Sequence, residues 1–186
     1  MLKERKIPVF PNWFPFNNMV FDGHLKVGKY AAVKTRKWQW NYRGPLLFYN
    51  TLRTAQVALD RYPKYRNIPP NRKTIIGIAE IVDSRPFTID EAKQMLANFN
   101  NHKLVKIEIE LAETAFATEL SIEEIIYNFY EFGPFVAPFK IGFFFQNPQR
   151  FENPLPFNWP SGPIKPIFID VNKYPALKKQ IAVAGY

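Results

Sequence analysis

The chain has 186 residues, 47% of them hydrophobic and 17% aromatic, enough for one domain with a core of ordinary size. It has no cysteine, which excludes disulfides, thiol catalysis and Cys-ligated metal; His24 and His102 stand far apart, and no apolar run approaches the ~18–20 residues of a membrane span. The formal net charge of +9 is one-sided, because residues 1–76 carry 15 Lys and Arg against only Glu4, Asp22 and Asp60, whereas the other 110 residues carry 10 basic and 13 acidic side chains. 

There is no internal repeat and no low-complexity segment. Residues 1–24 are aromatic and rich in Pro and Asn, without helical periodicity. They read as an ordered irregular extension, with room for a short strand or turn, packed on a domain that spans 25–186, with Trp13, Phe14 and Phe16 as packing groups. Tyr30 opens a strand, YAAVKTRKW, in which Val33 and Thr35 alternate with Lys34 and Arg36. NYRG makes a turn, and GPLLFYN is a short buried strand. TLRTAQVALDR (51–61) reads as a helix capped by Thr51, with Leu52, Ala55 and Leu59 on one face. A Pro-rich basic loop follows.

KTIIGIAEIVDS is β-branched and apolar, and Gly77 inside it suggests a bend or bulge. Thr88 and Glu91 form a capping box that opens a helix, and Ser121 with Glu124 forms another. Between them KLVKIEIEL alternates as a half-wet strand. FKIGFFFQNP is a buried strand stopped at Asn147-Pro148, followed by a Pro-rich excursion; IKPIFIDV closes the strands and PALKKQIAV is a short terminal helix. Short strands with irregularly inserted helices point to a β-rich α+β fold, a compact and mostly antiparallel barrel with peripheral helices.

The densest chemistry lies between Lys29 and Arg43. Lys29, Lys34, Arg36, Lys37 and Arg43 interleave with Tyr30, Trp38, Trp40 and Tyr42. Cations meet phosphates, and exposed aromatic rings stack unpaired bases. Trp38, Trp40 and Tyr42 share one strand face, which is either core or a stacking surface. Arg36 falls on that face by parity, and in a dry core its guanidinium needs an anionic partner. Glu80 shares a face with Ile76 and Ile78; it either points into a cleft, where it pairs with Arg36, or sits in solvent at the strand end. Glu108, Glu110, Glu113, Glu123 and Glu124 read as a solvated face. Arg150 and the loop Arg66–Lys73 either extend the basic surface or are ordinary loop cations.

The series GK…TRKW…YRGPLLFY, IIGIAEIVDSRP, FFFQNPQRFENPLPF and PIFIDV resembles, in order and over roughly residues 25–171, the ASCH domain. The resemblance implies a PUA-like β-barrel with a cleft lined by a Gly-Lys turn and a strand arginine, and a role in RNA binding. It places Gly28 and Lys29 in the turn, Arg36 and Trp38 as the Arg-x-Trp pair, Arg43 in YRGP, and Asn147 and Arg150 in the Asn-Pro-x-Arg segment. Some ASCH proteins are amidohydrolases that deacetylate acetylcytidine. Here the chain departs from their pattern, with Ala32 at the expected Thr and Lys34 at the expected Glu.

These readings lead to an RNA-binding module, cytoplasmic, with no metal, cofactor or membrane partner. Lys29, Lys34, Lys37 and Arg43 contact phosphates, Arg36 recognises a base or phosphate, Trp38 and Tyr42 wall the pocket, and Asn147 and Arg150 extend it. One alternative is hydrolysis of a modified nucleoside by Lys29 as base with Glu80 as partner. The other is a protein-interaction module that docks through the Phe/Pro-rich segments 9–17 and 151–160.

Overall fold

In the computed structural model, residues 6–36, 38–88, 141–160 and 165–186 are described, together with Asp90, Glu91, Gln94 and Asn98. The strands are β1 (Lys6–Phe14), β2 (Ala32–Arg36), β3 (Gly44–Thr54), β4 (Thr74–Pro86), β5 (Ile141–Pro156) and β6 (Ile167–Asp170). Helices α1 (Asn18–Phe21), α2 (Gln56–Arg61) and α3 (Pro175–Val183) and two 3-10 turns accompany them. The strands form one mixed sheet in the order β2-β5-β4-β3-β1-β6, with β1 parallel to β3 and antiparallel to β6, and β2 antiparallel to β5. The protein is therefore β-rich α+β. Where the sequence led us to expect a closed barrel, no described strand joins β6 back to β2. No described helix is long and apolar enough to cross a membrane.

The chain divides into two compact units. The first comprises Met1–Phe21, Gly44–Glu80 and Asn147–Tyr186, and the second Asp22–Arg43 and Ile81–Gln146.

In the first unit β1 lies against β3 with Val9 opposite Leu47 and Phe10 opposite Phe48. Alternation sends Ile7, Val9, Leu47 and Tyr49 to one face, where they join Ile75, Phe151, Phe157 and Ile169 in a buried cluster. Phe10 and Phe48 meet on the other face at 6.4 Å, with Phe21 of α1 edge-on to Phe48 at 5.5 Å. A strand covered on both faces reads as a continuous apolar run, as GPLLFYN does. Helix α3 starts with Pro175 in its first turn and buries Leu177 and Ile181, one turn apart, on the cluster. It ends in a Schellman turn: Gly185 takes φ +81°, its N–H bonds the Ala182 carbonyl, and the Tyr186 N–H bonds the Ile181 carbonyl.

In the second unit Phe143, Phe144 and Phe145 are fully buried, paired with Lys34, Val33 and Ala32 of β2. The Thr88–Glu91 capping box forms as read: the Glu91 N–H bonds Thr88 Oγ1 at 3.3 Å, and the Thr88 N–H bonds Glu91 Oε2 at 3.0 Å.

Three local expectations change. Residues 6–14 are not an irregular extension but β1, an inner strand. Pro8 and Pro11 argue against a strand, but β6 pairs with β1 only over Lys6–Val9 and β3 only from Val9 on, so each proline has one described neighbour, a setting that tolerates it. The helix at 51–61 shrinks to Gln56–Arg61, because β-branched Thr51 and Thr54 continue β3; Thr54 pairs with Phe14, and Thr51 caps nothing. Asn147-Pro148 does not stop β5. Asn147 takes a left-handed φ of +49°, which asparagine tolerates, and the strand runs on to Pro156. Gly77 serves close approach: a Cβ there would sit 2.5 Å from the Phe21 ring and 2.6 Å from the Gln149 carbonyl oxygen. The strand at 103–111, the box at Ser121 and Glu124, and the acidic face at 108–124 lie outside the described residues.

Candidate nucleic-acid interface

The basic-aromatic segment belongs to the second unit. It begins at a turn in which the Tyr30 N–H bonds the Val27 carbonyl at 2.9 Å, with Gly28 at φ +52°. A left-handed φ there favours glycine, and it turns Lys29 outward. Lys29 is exposed, its ammonium 5.5 Å from the Tyr30 ring centroid, and Tyr30 in turn packs on Phe144 at 4.7 Å.

β2 ends at Arg36, and the chain from Trp38 to Arg43 is irregular. The aromatic side chains nevertheless form a series, through tethers rather than strand alternation. Buried Ser84 of β4 holds the segment at two points: its hydroxyl accepts the Trp40 N–H at 3.0 Å, and its carbonyl accepts the Gln39 side-chain amide at 2.9 Å. Arg43 fixes the far end. Its guanidinium donates to the Trp40 and Tyr42 carbonyls at 2.8 and 2.9 Å and pairs with Asp83 at 3.0 Å. Held this way, Trp38 meets Trp40 at 5.8 Å and Trp40 meets Tyr42 at 5.1 Å. Phe143 is the pedestal beneath, 5.0 Å from Trp38 and 6.0 Å from Trp40. Trp38 keeps 40% of its surface exposed, while Trp40 and Tyr42 are half-buried. The series is thus part core and part surface.

The cations divide. Arg43 buttresses the aromatic segment. Asp83 also takes Arg85 at 3.2 Å, and Arg85 pairs with Glu91 at 2.6 Å and lies 4.0 Å from the Phe144 centroid. Burial alone would raise the Glu91 pKa, but hydrogen bonds from Arg85 and Thr88 bring it below its ordinary value. Arg36 is half-buried and donates to the Thr35 carbonyl at 2.6 Å. Lys34, expected at a phosphate, is instead only 5% exposed. Alternation gives it the parity of Arg36 and Trp38, on the face read as core or stacking surface, but both faces of β2 are covered. Burial, and then the charge of Arg36, holds its ammonium well below the ordinary lysine pKa. Lys37 lies outside the described residues.

Glu80, Asn147 and Arg150 belong to the first unit. Arg150 is exposed, donates to the Asn18 carbonyl at 3.2 Å and stands 5.4 Å from the Phe21 ring centroid, a brace on α1. The Asn147 carbonyl accepts the Tyr186 hydroxyl at 2.7 Å, and Glu80 lies beside the same tyrosine. The expected Lys29–Glu80 and Arg36–Glu80 pairs each draw on both units. The docking segments 9–17 and 151–160 give most of their aromatic surface to the interior, Phe10, Phe14, Phe151 and Phe157 being buried.

Ser84 and Asp83, which organise the interface, were not singled out from the sequence. Ser84 lies 44 residues from the Trp40 N–H it binds, and nothing local marks it. Among the described residues no group of three or more His, Cys, Asp or Glu is placed to hold a metal ion. The chain matches no known family model, and no curated protein matches it.

Proposed function

We propose that the protein binds nucleic acid, RNA with unpaired bases, on the Trp38–Trp40–Tyr42 face of the second unit, in a cytoplasmic domain of ASCH type with a PUA-like barrel. The observation that carries this reading is a tryptophan left 40% exposed at the end of an aromatic series whose other members are braced from beneath and behind. A base stacked on Trp38 meets a ring already fixed in place, so little ordering is lost on binding. Such stacking contributes roughly 1–3 kcal/mol per base. Lys29 and Arg36 supply charge for the phosphates, and the excess positive charge of residues 1–76 favours approach of a polyanion.

Fluorescence anisotropy with a short single-stranded RNA tests this. Two phosphate contacts to a single strand give a log–log salt slope of about −1.4, so affinity drops about sevenfold between 50 and 200 mM salt. Trp38→Ala weakens binding by roughly five- to a hundredfold, and Lys29→Ala flattens the salt slope, while exposed Lys165→Ala of the first unit leaves both unchanged. Equal affinity for wild type and Trp38→Ala would refute the interface.

A further inference from the structure

The first unit holds a polar hollow of about 390 Å³, bounded by Pro45, Glu80, Asn147, Gln149, Gly185 and Tyr186. Its shape follows from the chain. Glu80 comes two residues after Ile78 and shares its strand face, so the face that begins as apolar core ends in a carboxylate. The left-handed turn at Asn147 and the Schellman turn at Gly185 bring Tyr186 back to β5, where its hydroxyl donates to the Asn147 carbonyl. The Glu80 backbone also hydrogen-bonds that hydroxyl. Tyr186 therefore has no proton to offer a ligand. Burial, and then the charge of Glu80, pushes its pKa up to about 12, which keeps the phenol neutral.

What remains for a ligand is mainly acceptor: the Glu80 carboxylate and the side-chain amides of Asn147 and Gln149. Among the described residues, no hydrogen bond and no ion pair engages the Glu80 carboxylate, and no Lys, Arg or His bounds the hollow, although the chain carries +9 overall. The volume falls in the range of small-molecule sites. One carboxylate and two amides fall short of a calcium site, which takes about six to eight oxygen ligands.

We propose that this hollow binds a small organic cation with N–H donors, a primary ammonium or guanidinium head, with Glu80 as its counter-ion and Gln149 and Asn147 as hydrogen-bond acceptors. This site is independent of the RNA reading, since all its residues belong to the first unit.

Titrating the full ¹⁵N-labelled chain with n-butylguanidinium at low salt, followed by amide shifts, tests the proposal. Saturable 1:1 binding that moves the signals of Glu80, Gln149 and Tyr186 is expected. Glu80→Gln weakens it tenfold or more, as loss of a charge-assisted hydrogen bond implies. Gln149→Glu, at an exposed position, strengthens it severalfold and serves as a second reading of the same charge. Tetramethylammonium, with the charge but no N–H, binds at least tenfold more weakly. Trp38→Ala changes none of this, so loss of the RNA interface leaves the cation site standing. The proposal is overturned by absence of saturation, by unchanged affinity in both Glu80→Gln and Gln149→Glu, or by tetramethylammonium binding as well as butylguanidinium.

Discussion

Both units stack aromatic rings, and they finish the stack differently. In the first, Tyr49 lies on Trp159 at 5.0 Å, Phe157 packs edge-on to both, and α3 adds Leu177 and Ile181 to the same cluster, leaving Phe157 7% exposed. In the second, Phe143 carries Trp38 and Trp40 at similar spacings, but Trp38 is left 40% exposed. The same residue types thus become core in one place and a surface in the other. Coverage decides between them, not composition or spacing.

The largest expected effect comes from breaking the covered stack. Phe157→Ala removes a buried ring and leaves a cavity, and lowers the unfolding free energy by about 3–5 kcal/mol, whereas Trp38→Ala costs less, about 2 kcal/mol, because 40% of the residue is already in water. Denaturant unfolding of the two variants side by side measures the contrast, and similar losses would erase it. Next comes Gly77→Ala. The added methyl overlaps the Phe21 ring and the Gln149 carbonyl, and the tight first unit loses about 1–3 kcal/mol. A neutral outcome in the same assay would mean that β4 and β5 yield at this point.

The smallest effect sharpens the second unit. Lys34 has its folded pKa lowered below 10.5, so between that lowered value and about pH 10.5 the unfolded chain holds a proton that the folded chain lacks. Stability therefore rises with pH through that window, by at most about 1.4 kcal/mol per pH unit, and the rise is complete above it. Lys34→Met flattens the profile. A wild-type curve as flat as that of Lys34→Met would show that the ammonium reaches water.

Much of the fold was legible where local chemistry decides it. Pro175 followed by Leu177 and Ile181 marks α3, and Thr88 with Glu91 marks a cap, because each signal acts within one turn. β1 was hidden because Pro8, Pro11 and Pro15 are local evidence against a strand, while the parallel partner that makes it one lies some forty residues on. The extension of β5 past Asn147 was hidden because Asn-Pro is local evidence for a stop, whereas the Tyr186 hydroxyl that donates to the Asn147 carbonyl comes 39 residues later. At the interface, the kinship of Trp38, Trp40 and Tyr42 was visible, but strand alternation is not its cause; Ser84 and Arg43 are. The burial of Lys34 was invisible, since a period of two says which residues share a face and not which face is covered.

The placement of β1 also orders events in time. The antiparallel neighbour of Ile7 is Ile169, so the two strands that pair are separated by most of the described fold in sequence. Ala32 and Phe145 pair across a shorter stretch of sequence. During synthesis β1 thus waits, half-matched against β3, until β6 has emerged. Contacts of such long sequence separation slow folding, and for that interval the first unit is the segment that most needs shelter from other chains.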